Sequence, residues 1–386
     1  MIHWRYGRVV RRLKNWTGAS EVLVALETPL PRPGRAFTAE PAEEVHALAY
    51  TDMVGDPPPG ARVLLNVSAL AKGLGTGGLA LVVATPDDLP ADPASQPGHI
   101  VKARYSPLQN MVLAVDEQDS EHHDLLVHND SIAGMPCVIA DLHSALPAVI
   151  AGIRASHKVG KQLRVVYIMT DQAALPAAFS RTIAALRDAE WLSACITVGQ
   201  AWGGDYEAIT VHSALLAAKH VLNADIAVIS QGPGNVGTGT PYGFTGMASA
   251  DHVHAATLVG GTPIAMLRVS GADQRERHYG ISHHTLTAIG HATLVQATIP
   301  VPDFSTLEPE EAHAYDLDTE ALLLRLRHQL PQLQRHHIVE INLTGLLSTL
   351  RGTPVSLSTM GRTLEHDAPA FLAAAAAGSY AASYMS

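Results

Sequence analysis

Residues 85–98 divide this chain into two stretches whose apolar residues keep different periods. The segment holds Thr85, Pro86, Asp87 and Asp88, then Pro90, Asp92, Pro93 and Pro97. It is polar, proline-rich and without periodicity, so it reads as a linker. Before it, short β-rich runs recur at Arg8 to Val10, Glu21 to Leu26, Glu44 to Tyr50, Arg62 to Val67 and Leu79 to Val83. Turn-rich pieces such as Pro29 to Gly34 and Asp56 to Gly60 separate them, and Lys72 to Gly78 carries four glycines, which suits a hairpin with bulges or a loop that closes over a ligand. This pattern predicts a small all-β, barrel-like domain over residues 1–97, linker included.

After residue 98 buried-type strands alternate with helix-length segments. The predicted strands are Met111 to Val115, Pro136 to Ala140, Leu163 to Met169, Ala194 to Val198, Asp225 to Ser230, Pro263 to Val269 and Ala292 to Ile299. The predicted helices are Leu146 to Ser156, Pro176 to Glu190, Tyr206 to Leu222, Met247 to Val259 and Ser282 to Gly290. Continuous apolar strands with intervening helices predict a mostly parallel sheet covered on both faces, a three-layer α/β domain over residues 98–386. Two C-terminal helices, Asp318 to Gln329 and Pro369 to Ala382, are expected to pack on it. Asp367 is placed to cap the last, and Ala373 to Ala377 offers a smooth surface for close packing.

Composition narrows the class. The 386 residues carry 26 Lys and Arg against 36 Asp and Glu, a net charge of −10, which disfavours nonspecific nucleic-acid binding. The exception is residues 1–14, where Arg5, Arg8, Arg11, Arg12 and Lys14 are interleaved with Trp4 and Tyr6: an outer strand with solvated charges, or a face for RNA or a protein partner. The two cysteines, Cys137 and Cys195, sit in apolar runs and form no Cys-x-x-Cys, so thiol redox and thiolate zinc chemistry have no support. Neither a signal-type apolar stretch nor a membrane-length apolar run is found, so a cytoplasmic, membrane-free protein is expected.

Ligands of open parallel sheets bind beyond the carboxyl ends of the strands. Past the predicted strands lie Asp141 and His143, then Asp171, then Asp205, then the run Gly232-Pro233-Gly234-Asn235-Val236-Gly237-Thr238-Gly239, then Arg275, Arg277, His278, His283 and His284. The glycine run matches Gly-x-Gly-x-x-Gly, but further glycines and Pro241 follow where a helix should start, and the expected acid about 20 residues on, ending the next strand, is missing, which argues against a nicotinamide site. Gly232, Gly234, Asn235, Gly237, Thr238 and Gly239 read instead as a backbone nest for an anion, or as a wide crossover loop. Arg275 and Arg277 suit the same anion, unless they form an ion-paired surface loop.

The 21 histidines form no helical i, i+4 pair suited to one metal. A divalent metal would have to be gathered across loops, from Asp141, His143, Asp205 and one of His278, His283 or His284. Lone histidines such as His3, His46, His99, His157, His313 and His366 read as surface or packing residues.

Two functional readings follow. In the first, the protein is an enzyme, a hydrolase or group transferase acting on a small anionic metabolite, phosphorylated ones included. His143, His278 or His283 would be its acid or base, and Asp171 or Asp205 would orient a histidine. In the second, it is a ligand sensor or a regulatory protein whose β-domain contacts RNA or protein. Homo-oligomers fit either reading.

Long strings carry a resemblance. They are Gly98 to Gln109, Asp141-Leu142-His143-Ser144, Met169-Thr170-Asp171, Gly203 to Ala208, Gly232 to Gly246, Arg275 to Thr285 and Thr359-Met360-Gly361-Arg362. Their succession resembles an uncharacterised bacterial family, domain of unknown function 3866. The resemblance spans nearly the whole chain and brings no activity and no site residues with it.

Overall fold

The computed structural model describes residues 2–31, 41–74, 77–156 and 163–385. Pro33 and Gly34 of the first turn-rich piece, Gly75 and Thr76 of the Lys72–Gly78 loop, and His157 lie outside the described residues. The chain forms two compact units, Met1–Gln96 with Ala178–Ala184, and Pro97–Ala177 with Ala185–Ser386.

The first unit is built from β1 (Trp4–Trp16), β2 (Ala19–Leu30), β3 (Ala42–Tyr50), β4 (Arg62–Asn66) and β5 (Ala80–Ala84). They close into a barrel in the order β1-β2-β3-β5-β4, with β1 returning antiparallel to β4 and β3 running parallel to β5. Alternation supplies the core: Val22 and Val24, Val45 and Ala47, Val63 and Leu65, and Val82 point inward. The basic strand is largely engaged within this barrel. Arg5 Nε donates to Thr28 O at 3.1 Å, Arg8 Nη1 donates to Gly60 O at 3.2 Å, and Arg12 pairs with Asp56 at 2.9 Å. The Arg62 guanidinium sits 4.0 Å over the Tyr6 ring.

The second unit is a parallel eight-stranded sheet with helices, the α/β architecture expected. A hairpin precedes it, β6 (Ile100–Lys102) with β7 (Asn110–Val112). The sheet comprises β8 (Pro136–Ile139), β9 (Val165–Thr170), β10 (Ala194–Val198), β11 (Tyr206–Ala208), β12 (Ile226–Gln231), β13 (Thr262–Ala265), β16 (Thr298–Asp303) and β17 (His337–Asn342). A two-stranded ribbon, β14 (Val269–Ser270) with β15 (Gly280–Ile281), lies between β13 and β16 in the chain. The spatial order is β11-β10-β9-β12-β8-β13-β16-β17. Every residue of β8, β9, β10 and β12 is buried, so both faces of the sheet are covered.

Several boundaries differ from expectation. Met111–Val115 is not a full strand of the sheet: Asn110–Val112 pairs with β6, and only Ala114 reaches the sheet, by an isolated parallel bridge to Glu207 of β11. Tyr206–Ala208 is an edge strand and the helix starts at Val211, where Thr210 caps it through Ser213. Ser282–Gly290 is one α-helical turn, His283–Thr285, followed by a π-helical stretch, Leu286–Ala292. β17 has no apolar run because it is a half-exposed edge strand.

The helices Leu146–Ser156 and Ala368–Ser383 approach so closely that a Cβ on Gly152 would stand 1.9 Å from Ala375 O, and one on Gly378 1.9 Å from Val149 O. Ala373–Ala377 is completely buried there. Asp367 occupies the N-cap position of the last helix but makes no side-chain cap bond. Its carboxylate accepts instead from Ser270 Oγ at 2.6 Å, Gly271 N at 2.9 Å and Arg362 Nε at 2.9 Å.

The strand order sets where a ligand can enter. The chain leaves β8 toward β9 on one side, and leaves β12 toward β13 on the other. β8 and β12 are neighbours whose connections run to opposite edges of the sheet, and the connections part at the flanking pairs β9/β12 and β8/β13, so a crevice lies at these carboxyl ends.

Candidate functional site

Asp141 follows β8, Thr170 ends β9 and Gln231 ends β12, so the three stand side by side at that crevice. Gln231 Nε2 donates across it to Asp141 O at 2.5 Å. The Asp141 carboxylate faces Arg268, with Oδ2 3.3 Å from Nη1, and the same Nη1 lies 3.3 Å from His284 Nδ1. His284 is packed with His283 and His278, ring centroids 4.3 Å and 5.1 Å away. One ligand-capable atom from each of the three histidines lies within 4.8 Å of the others.

Local structure explains the convergence. Neighbours on a long helix point about 100° apart. His283 and His284 instead occupy a single turn opened by Ser282, whose side chain accepts from His284 N. The same Ser282 Oγ lies 2.8 Å from His278 Nδ1, so one hydroxyl fixes two of the three histidines. Phe244 then stacks on His284 at 3.8 Å with the ring planes 5° apart.

Six buried side-chain polar atoms find no hydrogen-bond partner among the described residues. Four of them are Asp141 Oδ1, Thr170 Oγ1, Gln231 Oε1 and His283 Nε2, all in this one region. Buried polar groups are normally satisfied, and each one left open costs about 1–3 kcal/mol. Their concentration at the strand ends marks a place built to meet something polar.

Electrostatics sharpen the picture. Burial, reinforced by the neighbouring guanidinium of Arg268, pushes His278 down to about 4 and His284 down to about 3. His283 is also lowered, by burial and then by Arg277. The three rings are therefore neutral at neutral pH. Burial raises Asp141, and Arg268 works against that shift. Arg277 is exposed, forms no ion pair among the described residues, and lies alongside the glycine loop, its Nη1 3.9 Å from where a Gly239 Cβ would be.

The other sequence-read residues scatter. His143 lies just past β8 with Nδ1 3.0 Å from the Tyr167 hydroxyl; burial lowers its pKa to about 4. Asp171 is at the carboxyl end of β9, where Oδ2 accepts from Gln200 N at 2.8 Å rather than meeting a histidine. Asp205 is displaced altogether. The chain after β10 folds back, because β11 is parallel to β10, and Asp205 precedes β11 at the sheet's amino end. There it accepts from Cys195 N at 2.7 Å and pairs with Arg187 at 2.7 Å. A metal set of Asp141, His143, Asp205 and His284 is therefore not what the fold assembles.

Arg275 forks onto Asp273 at 2.9 and 2.8 Å, and Asp273 also takes Arg362 at 3.1 Å. The Arg275 hydrogen bonds hold the Asp273 carboxyl well below the usual range. The glycine run is not an open nest either. Its backbone closes on itself as a tongue: Thr238 N donates to Gly243 O at 2.7 Å and Thr245 N to Val236 O at 2.9 Å. Asn235 Oδ1 accepts from Thr245 Oγ1 at 2.9 Å and from Gln231 Nε2 at 3.2 Å. Gly232, Gly234, Gly237, Thr238 and Gly239 shape that tongue, and what it delivers is Phe244 onto His284.

Sequence reasoning passed over Gln231, Phe244 and Arg268 as chemistry-bearing residues, and placed Thr170 past its strand without giving it a role. Thr170 and Gln231 were findable as the polar residues that end two apolar strands. Arg268 carried no signal, since it sits inside the apolar run Pro263–Val269.

A family model described as Protein of unknown function (DUF3866) matches residues 46–378. No curated protein and no solved structure matches the chain. Among the described residues, no helix is long and apolar enough to cross a membrane.

Proposed function

We propose, for a chain that belongs to the family of unknown function DUF3866, an enzyme that carries out hydrolysis or group transfer on a small anionic metabolite at the β8/β12 crevice. The observation that carries this reading is the set of four unpartnered buried polar atoms, Asp141 Oδ1, Thr170 Oγ1, Gln231 Oε1 and His283 Nε2, beside Arg268 and Arg277. Arg277, which pairs with no acid among the described residues, supplies a guanidinium for the anion. Arg268, held between Asp141 and His284, adds positive charge beside it. The neutral imidazole of His283 is the acid–base candidate, since its Nε2 has no other partner. The tongue that carries Phe244 walls the site.

Calorimetric titration with inorganic phosphate tests the reading, together with turnover of p-nitrophenyl phosphate and p-nitrophenyl acetate. One phosphate per chain, displaced by substrate, supports it. A folded protein that neither binds phosphate nor turns over either ester rejects it.

A further inference from the structure

We propose that His278, His283 and His284 form a three-imidazole site for one divalent transition-metal ion of the zinc class. The inference deepens the reading above and rests on it for the identity of the anion, though not for the metal itself; with the ion bound, His283 is a ligand and no longer the acid–base group. One nitrogen from each ring already lies within 4.8 Å of the others. A tetrahedral Zn–N distance of about 2.0–2.1 Å requires donors about 3.4 Å apart, so a pair 4.8 Å apart would close by about 1.4 Å through side-chain rotation.

Three features beyond proximity point to a bound ion. His283 Nε2 is buried with no partner, so a lone pair or N–H is desolvated without compensation. His278 is held from behind by Ser282 Oγ at 2.8 Å from Nδ1, the outer-shell bond that fixes a ligand's tautomer and leaves the opposite nitrogen for the ion. Phe244 clamps the His284 ring at 3.8 Å, an orientation a surface histidine has no need of.

The donor set is all nitrogen, which selects zinc, cobalt, nickel, copper or iron over magnesium and calcium. Three protein ligands leave a fourth position open. Arg268 borders the cluster, its Nη1 3.3 Å from His284 Nδ1 and 3.3 Å from Asp141 Oδ2. On loading, the guanidinium keeps Asp141 and yields the His284 lone pair to the ion. A dication close to Arg268 and Arg277 calls for an anion between them, which is the ligand class already inferred. The ion would supply Lewis-acid polarisation of that anion.

The test loads metal-stripped protein with Co2+ alone and reads the visible d–d spectrum, with stoichiometry from elemental analysis. The expected result is one Co2+ per chain with tetrahedral bands, displaced by Zn2+ and not by a large excess of Mg2+. His283→Ala should abolish stoichiometric binding, and Ser282→Ala should weaken it about 10-fold. His212→Ala, on a helix away from the cluster, should leave it unchanged. If His283→Ala does not fold, X-ray absorption of the zinc-loaded wild type decides, since the proposal requires three imidazole ligands. Folded wild type that takes up no Co2+, or binding that survives His283→Ala, overturns the site. Phosphate binding without metal overturns this inference alone, and metal binding without phosphate binding overturns the proposed function alone.

Discussion

The imidazole of His284 lies flat on the ring of Phe244, centroids 3.8 Å apart and planes 5° from parallel. Phe244 ends the glycine-rich tongue, and His284 belongs to the histidine cluster. The contact therefore couples the two sequence features that stand out most past the strand ends. It also gives the glycines a purpose: they let the backbone turn sharply enough to return Phe244 to the site.

Phe244→Ala should then do two things at once. Removing a buried aromatic costs about 3–5 kcal/mol, so the melting temperature falls. Because His284 loses its clamp, phosphate affinity should fall as well, whereas Phe244→Tyr, which keeps the ring, should preserve most of it. Thermal unfolding and phosphate titration on the same samples check both.

Among the described residues Arg277 is exposed and pairs with no acid, whereas Arg275 is forked onto Asp273. Charge-assisted hydrogen bonds contribute about 1.5–3 kcal/mol. Arg277→Ala should weaken phosphate binding by roughly 10- to 100-fold at unchanged stability. Arg275→Ala should lower stability with a smaller effect on binding, because its loss frees Asp273. Equal losses of binding from the two substitutions would remove the distinction.

The helix pair at the C-terminus makes a stability prediction independent of function. With Ala375 O 1.9 Å from where a Gly152 Cβ would sit, Gly152→Ala forces two backbones apart. Overpacking of this kind costs about 1–3 kcal/mol, and backbone contact places it at the upper end. Denaturant unfolding should show the loss, whereas Gly345→Ala, with open space around its Cβ, should show only the strain of its positive φ.

Stability should fall on acidification. Burial pushes both His252 and His143 down to about 4 from 6.5. The unfolded chain binds these protons more readily than the folded one does. Stability is therefore full above pH 6.5 and is lost as pH falls from 6.5 through 4, by about 3 kcal/mol for a fully buried ring such as His252. Melting curves across this range check it, and His252→Leu should flatten the slope.

The two-part architecture was legible because hydrophobic period is a property of neighbouring residues. Alternation exposed the barrel strands, and unbroken apolar runs such as Ala194–Val198 exposed the sheet. β11 and β17 escaped for the same reason, since three residues and a half-exposed edge carry no period. Placing chemistry past strand ends singled out His278, His283 and His284, which the fold brings together, and Arg277. It misplaced Asp205 because it assumed that a polar stretch after a strand stays at that end, whereas Gly203 and Gly204 let the chain return to the amino end before β11. The pairing of Arg268 with Asp141 spans 127 residues, and no local pattern encodes it. The convergence of His283 and His284 depends on the single turn opened by Ser282, which helical-wheel geometry does not describe.

The central claim, an anion site at the β8/β12 crevice, is tested most directly by a crystal structure of the protein soaked in inorganic phosphate. The account predicts tetrahedral density between Arg277, Arg268 and His283, within hydrogen-bond distance of at least two of them. Phosphate bound only elsewhere, with the crevice holding no more than water, would contradict it.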